Sequence, residues 1–210
     1  MKKPVIEFKH FSFQYNSQSE PTLHDINLVI YEGEKVAIVG PSGSGKSTLV
    51  HCLNGLAPFA YKGSMTGNLT IHGRETRELD LFTISQEVGT VLQDTDGQFI
   101  GLTVGEDIAF SLENNAVPTQ KMHERVQKAA SLVKMSNHLD ARIHELSGGQ
   151  KQRVALAGVL VNDVNILLFD EPLANLDPAS GKGAMRLIDQ LHTDSNKTII
   201  IVEHILEDVL

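Results

Sequence analysis

Residues 5–9 and 11–15 alternate between apolar and polar side chains, as half-buried antiparallel strands do. The polar stretch 16–21 reads as a hairpin loop leading to a further alternating run at 26–31. A Glu32-Gly33 turn then feeds the apolar strand 35–39, which looks buried. A helix is expected over 46–56, where Leu49, Cys52 and Leu53 recur at helical spacing. Short strands are predicted at 68–72, bounded by Gly67 and Gly73, and at 88–92. From 94 to 160 the period changes. Met122, Val126, Ala129, Ala130 and Val133 fall on one helical face, and 150–161 reads as another helix. Residues 165–169 and 198–202 are near-continuous apolar runs, the pattern of strands covered on both faces, with a crossover helix between them over 182–191. The fold class is therefore α/β, with an antiparallel N-terminal part and a mostly helical insertion at 94–160. No internal repeat or low-complexity linker interrupts it.

Composition narrows this picture only a little. A chain of 210 residues with 41% hydrophobic content can bury a sizeable core. The net charge of −8 argues against broad nucleic-acid binding, which needs a basic footprint. The single Cys52 cannot form an internal disulfide and suits a reducing compartment. It reads as a small apolar helix residue, with a redox role as the alternative. The N-terminal Met1-Lys2-Lys3-Pro4 leads straight into a strand pattern, so no signal peptide is expected. No apolar run approaches the ~20 residues of a membrane span, so any such span would come from other sequence.

The chemistry starts at Gly40-Pro41-Ser42-Gly43-Ser44-Gly45-Lys46-Ser47-Thr48, which fits G-x-x-x-x-G-K-[ST]. Glycines at these places let backbone N–H groups turn inward around a phosphate without Cβ clashes. Lys46 would reach the β- and γ-phosphates, the Ser47 hydroxyl would ligate Mg²⁺, and the helix N-terminus adds favourable dipole. A chance Gly/Ser-rich turn is the rival, and the strand before and helix after count against it. The pattern implies binding of a nucleoside triphosphate. Residues 166–169 are apolar and run into Asp170-Glu171. Such a carboxylate at the end of a core strand, Asp170, can hold Mg²⁺. Its neighbour Glu171 should point elsewhere by strand alternation, suited to polarise an attacking water.

A further motif is Leu146-Ser147-Gly148-Gly149-Gln150. Ser147 can cap the following helix while Gly148 and Gly149 expose N–H groups, making a second phosphate-binding surface. A plain Gly-Gly helix start is the bland alternative. With this pentapeptide between the P-loop and the Asp-Glu strand, the sequence resembles the ATP-binding-cassette (ABC) ATPases over essentially its whole length. The resemblance implies a RecA-like P-loop core with an antiparallel β subdomain and the helical insertion, in one ABC ATPase domain over 1–210. It implies ATP and Mg²⁺ as ligands. Tyr15 would stack on adenine, unless it is only a sheet tyrosine. Gln93 would touch Mg²⁺ and the nucleophilic water, and Asp177 would lie on a loop, 174–177, crossing to a second ATPase domain. His204 would contact the γ-phosphate, unless it is structural. The other histidines read as surface or packing residues.

The resemblance also implies partners. The signature of one domain would close over ATP on a second ABC ATPase domain, which could be in the same chain, a paralogue or another copy. A groove formed by the helical insertion and Gln93 would receive a helix from integral membrane transporter subunits. The stretches 92–99, with Gln98, and 103–110 are similar to the ATPases of energy-coupling factor (ECF) importers of vitamins and transition metals. Residues 54–58 and 158–161 look most like members with tandem ATPase domains. The implied location is the cytoplasmic face of a prokaryotic cell membrane. Non-transport ABC ATPases, translation-associated or regulatory, are the alternative reading. The chain stops six residues after His204, where family domains usually continue, so it reads as a trimmed or partial domain.

Overall fold

The computed structural model describes residues 2–93, 96–174 and 176–204, with the backbone alone at Asp96. The chain divides into two compact units, one built from Met1–Thr90, Asn165–Asp170 and Leu191–Leu210, the other from Val91–Val164 and Glu171–Gln190.

The first unit contains an antiparallel sheet in the order β2-β1-β4-β5, with β1 at Pro4–Tyr15, β2 at Leu23–Tyr31, β4 at Gly63–Ile71 and β5 at Arg74–Glu75. The alternating runs 5–9 and 11–15 are one strand rather than two. Phe8 and Phe11 are both buried, although a separation of three would put them on opposite faces of a regular strand. A register shift between them, with His10 at φ 46°, resets the pleat so that both rings point into the core. The rings meet edge to face at 5.3 Å.

A second sheet has the order β3-β8-β7-β6, with β3 at Lys35–Val39, β6 at Val88–Val91, β7 at Ile166–Asp170 and β8 at Thr198–Glu203. β8 lies parallel to both β3 and β7. Every residue of β7 and β8 is buried, as their continuous apolar runs predict. The edge strand β3 departs from expectation: Ala37 and Val39 are exposed, and only Val36 and Ile38 pack on the core. Helix α1, Lys46–Leu53, contributes Leu49, Val50, Cys52 and Leu53 to a core shared with Phe8 and Phe13 of β1 and Ile200 of β8. It ends before the expected residue 56 because Gly55 takes φ 80°. Burial pushes the Cys52 thiol up to about 12, which leaves it a core residue and not a nucleophile. After a kinked turn, α2 (Leu56–Phe59), comes α3 (Leu81–Glu87), too short for periodicity to reveal; Asp80 caps it by accepting the Thr83 N–H at 2.7 Å.

The second unit is helical: α4 at Val104–Asn114, α5 at Thr119–Leu132, α6 at Gly148–Leu160, and the first part of α7 at Pro178–Ser195. Val104, Ile108 and Leu112 bury one face of α4, and Val126, Ala129 and Ala130 one face of α5. A reciprocal cap between Thr103 and Glu106 fixes the start of α4. Among the described residues no helix is long and apolar enough to cross a membrane.

Candidate functional site

In the first unit, register builds the site. Val39 pairs with Glu203 and Asp170 with Val202, so the carboxyl ends of β3, β8 and β7 lie along one sheet edge. In an open parallel sheet this is the edge where ligands bind. Residues 40–48 leave β3 there. Pro41, Ser42, Gly43 and Ser44 are exposed, and Gly43 and Gly45 take φ 78° and 93°. At Gly45 a Cβ would also press on the Thr22 carbonyl oxygen at 3.1 Å, so both backbone and space demand glycine.

Lys46 is buried, and its ammonium donates to the carbonyl oxygens of Gly40 at 2.8 Å and Pro41 at 3.1 Å. It also lies 3.4 Å from His204 Nδ1, which the parallel pairing of β3 and β8 brings to the loop. The loop thus holds its own cation against its own neutral carbonyls, a weaker arrangement than bonds to charged phosphate oxygens. Ser47 faces outward, whereas Thr48 is buried and accepts a hydrogen bond from the Tyr15 hydroxyl at 3.0 Å. The Tyr15 ring sits edge-on to Phe13 at 4.8 Å. Asp170, buried at the end of β7, and the Ser47 hydroxyl are hard oxygen donors that suit Mg²⁺. Among the described residues no three Asp, Glu, His or Cys converge as a metal cage, so phosphate oxygens and water would complete its coordination, as is usual for this ion.

In the second unit, Glu171 is buried and its carboxylate accepts a 2.7 Å hydrogen bond from the Gln93 amide. Its direction is not set by strand alternation. The strand ends at Asp170, and Glu171 adopts φ 49°, a left-handed conformation that costs a non-glycine residue of order 1–3 kcal/mol. The signature opens α6. Ser147 Oγ accepts the Gln150 N–H at 3.4 Å while Gln150 Oε1 accepts the Ser147 N–H at 2.9 Å. Ser147 and Gly148 are exposed, and the N–H groups of Gly148 and Gly149 stand at the first helical positions, which have no intrahelical acceptor. Leu146 is buried, and the Gln150 side chain turns back onto the cap, so the presented surface is Ser147 with the two glycines. Asp177 is exposed and accepts the N–H groups of Ala179 at 3.0 Å and Ser180 at 3.1 Å, bonds led by Ser180 that hold its carboxyl below the usual range. It caps α7; Asn175, in the same loop, lies outside the described residues, as do Asp94 and Thr95 beside Gln93.

The profile of the family described as "ABC transporter" matches residues 23–174. The chain belongs to the ABC transporter family. The ABC match takes in the P-loop, the signature, Asp170 and Glu171, and leaves Tyr15, Asp177 and His204 outside. Proteins provisionally named ABC transporter ATP-binding proteins are similar to it. One from Enterococcus faecalis is 61% identical over 210 residues, covering 100% of this chain and 37% of that protein. One from Photobacterium profundum is 62% identical over 206 residues, covering 98% of this chain and 36% of that protein. The chain thus spans little more than a third of these relatives. Among solved structures, CbiO1 of Clostridium perfringens, described as part of the ABC transporter complex CbiONQ, superposes with a TM-score of 0.87 at 31% identity. That alignment covers 99% of this chain and 81% of CbiO1.

One contact escaped the sequence. His138, counted there among surface and packing histidines, has Nε2 at 3.4 Å from Gln150 Nε2. It lies 12 residues upstream with no motif around it, so no local signal marked it.

Proposed function

We propose that this chain is the ATP-binding and ATP-hydrolysing part of a membrane importer of the ECF type, acting on a vitamin, a vitamin precursor or a transition-metal ion. The observation that supports hydrolysis most is the pair at the end of β7: Asp170 buried as its last residue, then Glu171 turned out of strand geometry with Gln93 on its carboxylate. A buried carboxylate held in a costly conformation beside an amide fits a general base better than a site that only binds.

In this reading Lys46 leaves its two carbonyls for the β- and γ-phosphates, the 40–48 backbone cradles them, and Tyr15 offers its ring to adenine. Ser47 and Asp170 would hold Mg²⁺ bound with the nucleotide, and the ion would supply neutralisation of phosphate charge there. Glu171 accepts the proton of the attacking water, Gln93 orients that water, and His204 donates to the γ-phosphate. Ser147, Gly148 and Gly149 close over the γ-phosphate held by a second ABC domain, and Asp177 stands at the crossing loop. ATP binding joins the two domains and hydrolysis parts them.

The membrane partner is supported by a cavity of about 150 Å³ within the second unit, lined by Phe99, Phe110 and Val159 together with the polar Asp107 and Ser111. Ile100 and Leu102 stand 62% and 79% exposed, apolar area that water does not favour. We assign this surface to a helix of the membrane subunit. The described membership of CbiO1 in a transporter complex supports the same partner class here. The test is an uptake panel of radiolabelled vitamins, their precursors, nickel and cobalt in cells whose own copy carries Lys46→Ala. Loss of uptake of one nutrient is expected. Unchanged uptake of all of them, with the variant expressed normally, would reject the import reading.

A further inference from the structure

The signature turn is held from behind by a residue outside the motif. Gln150 Oε1 accepts the Ser147 N–H at 2.9 Å, which fixes the orientation of the amide: the end toward His138 is the NH₂ group. An NH₂ group only donates. His138 Nε2, at 3.4 Å, must therefore carry the lone pair, and the ring proton must sit on Nδ1. Nδ1 is buried with no hydrogen-bond partner among the described residues, so this tautomer is set by Gln150 alone.

The ring is carried on a fixed platform. His138 ends the turn Ser136–His138, and its own N–H donates to the Met135 carbonyl at 2.9 Å. The next residues are clamped to the first turn of α4, where Gly105 N–H donates to Leu139 O at 2.8 Å and Val104 N–H to Ala141 O at 3.0 Å. That turn is itself locked by the Thr103–Glu106 cap. A chain of bonds thus runs from α4 through the 138–141 loop to Gln150 and so to Ser147.

We propose that His138 is a positioning residue for the signature: through its Nε2 lone pair it holds the Gln150 amide, and through that amide it keeps Ser147 and the α6 N-terminus aimed at the opposing nucleotide. The proposal rests on the reading that this signature closes over ATP of a second domain. Without the acceptor, Gln150 can rotate about three χ angles and half of the reciprocal cap is lost. Ser147 Oγ is then no longer pre-aimed at the place where phosphate charge develops.

The test is ATP hydrolysis by the full-length protein carrying His138→Leu, His138→Lys or His138→Gln, with melting temperature measured in parallel. His138→Gln places a carbonyl oxygen where Nε2 stood and should retain kcat within about twofold. His138→Leu offers nothing and His138→Lys only N–H donors; each should lower kcat about tenfold with KM for ATP changed less than about twofold. If His138→Leu fails to fold, the contrast between Lys and Gln still decides. His138→Leu should add no further loss to Gln150→Ala, because His138 acts through Gln150. Equal activity of the Lys and Gln variants, or additive losses in the double variant, would overturn the proposal. Ser147→Ala, run alongside, separates the two levels. If Ser147→Ala lowers kcat and both His138→Leu and His138→Lys do not, only the role of His138 falls; if Ser147→Ala has no effect, the signature reading falls and the proposal with it.

Discussion

Glu171→Gln lowers ATP turnover by about 1000-fold while leaving the Kd for ATP within about threefold. The substitution keeps the size and shape of the side chain and removes only its ability to accept a proton. It also preserves a hydrogen-bonding oxygen for the Gln93 amide, now 2.7 Å from the carboxylate, so the local arrangement survives. ATP should therefore still bind and still join two domains, and the joined form should persist because hydrolysis no longer releases it. Gel filtration with ATP and Mg²⁺ reads that state as a lasting shift to larger size. Turnover at the unmutated rate would show that Glu171 is not the base.

Lys46→Ala raises the Kd for ATP by about 100-fold or more, the loss expected when a desolvated cation is removed from opposite phosphate. In the nucleotide-free protein the ammonium bonds the carbonyl oxygens of Gly40 and Pro41 and lies beside His204. Removing it leaves those oxygens to water at an exposed loop, so the fold should tolerate the change better than the ligand does. Equilibrium binding of a fluorescent ATP analogue measures the effect. Affinity within about threefold of the unmutated protein would mean the loop does not hold the phosphates.

How much of this was legible beforehand depends on how local each determinant is. The P-loop and the signature are plain because each is a run of consecutive residues whose backbone shape is written in glycine and serine, and Asp170-Glu171 is plain because two carboxylates end an apolar run. The buried strands β7 and β8 were plain because apolar runs leave no second face to interpret. Alternation suggests two strands where β1 is one, since it breaks between Phe8 and Phe11 and only the core on one side explains why both are buried. β3 looked buried from its composition, but an edge position leaves Ala37 and Val39 exposed, and sheet order is not a local property. For Glu171 the sequence suggests that strand alternation turns the carboxyl away from Asp170, whereas its φ of 49° does so. The turned-back Gln150 and its contact with His138 were invisible, because they depend on how a loop between α5 and α6 folds against α4.

If this chain powers a membrane transporter, the membrane subunits should co-purify with it. The full-length protein would be captured by affinity tag from detergent-solubilised native membranes, and its companions identified by mass spectrometry. A helical membrane scaffold and a small substrate-binding membrane protein are expected, in amounts comparable to the tagged protein. Recovery of soluble proteins or ribosomes alone would contradict the transport assignment, while the nucleotide chemistry of Lys46 and Glu171 would remain to be judged by the two substitutions above.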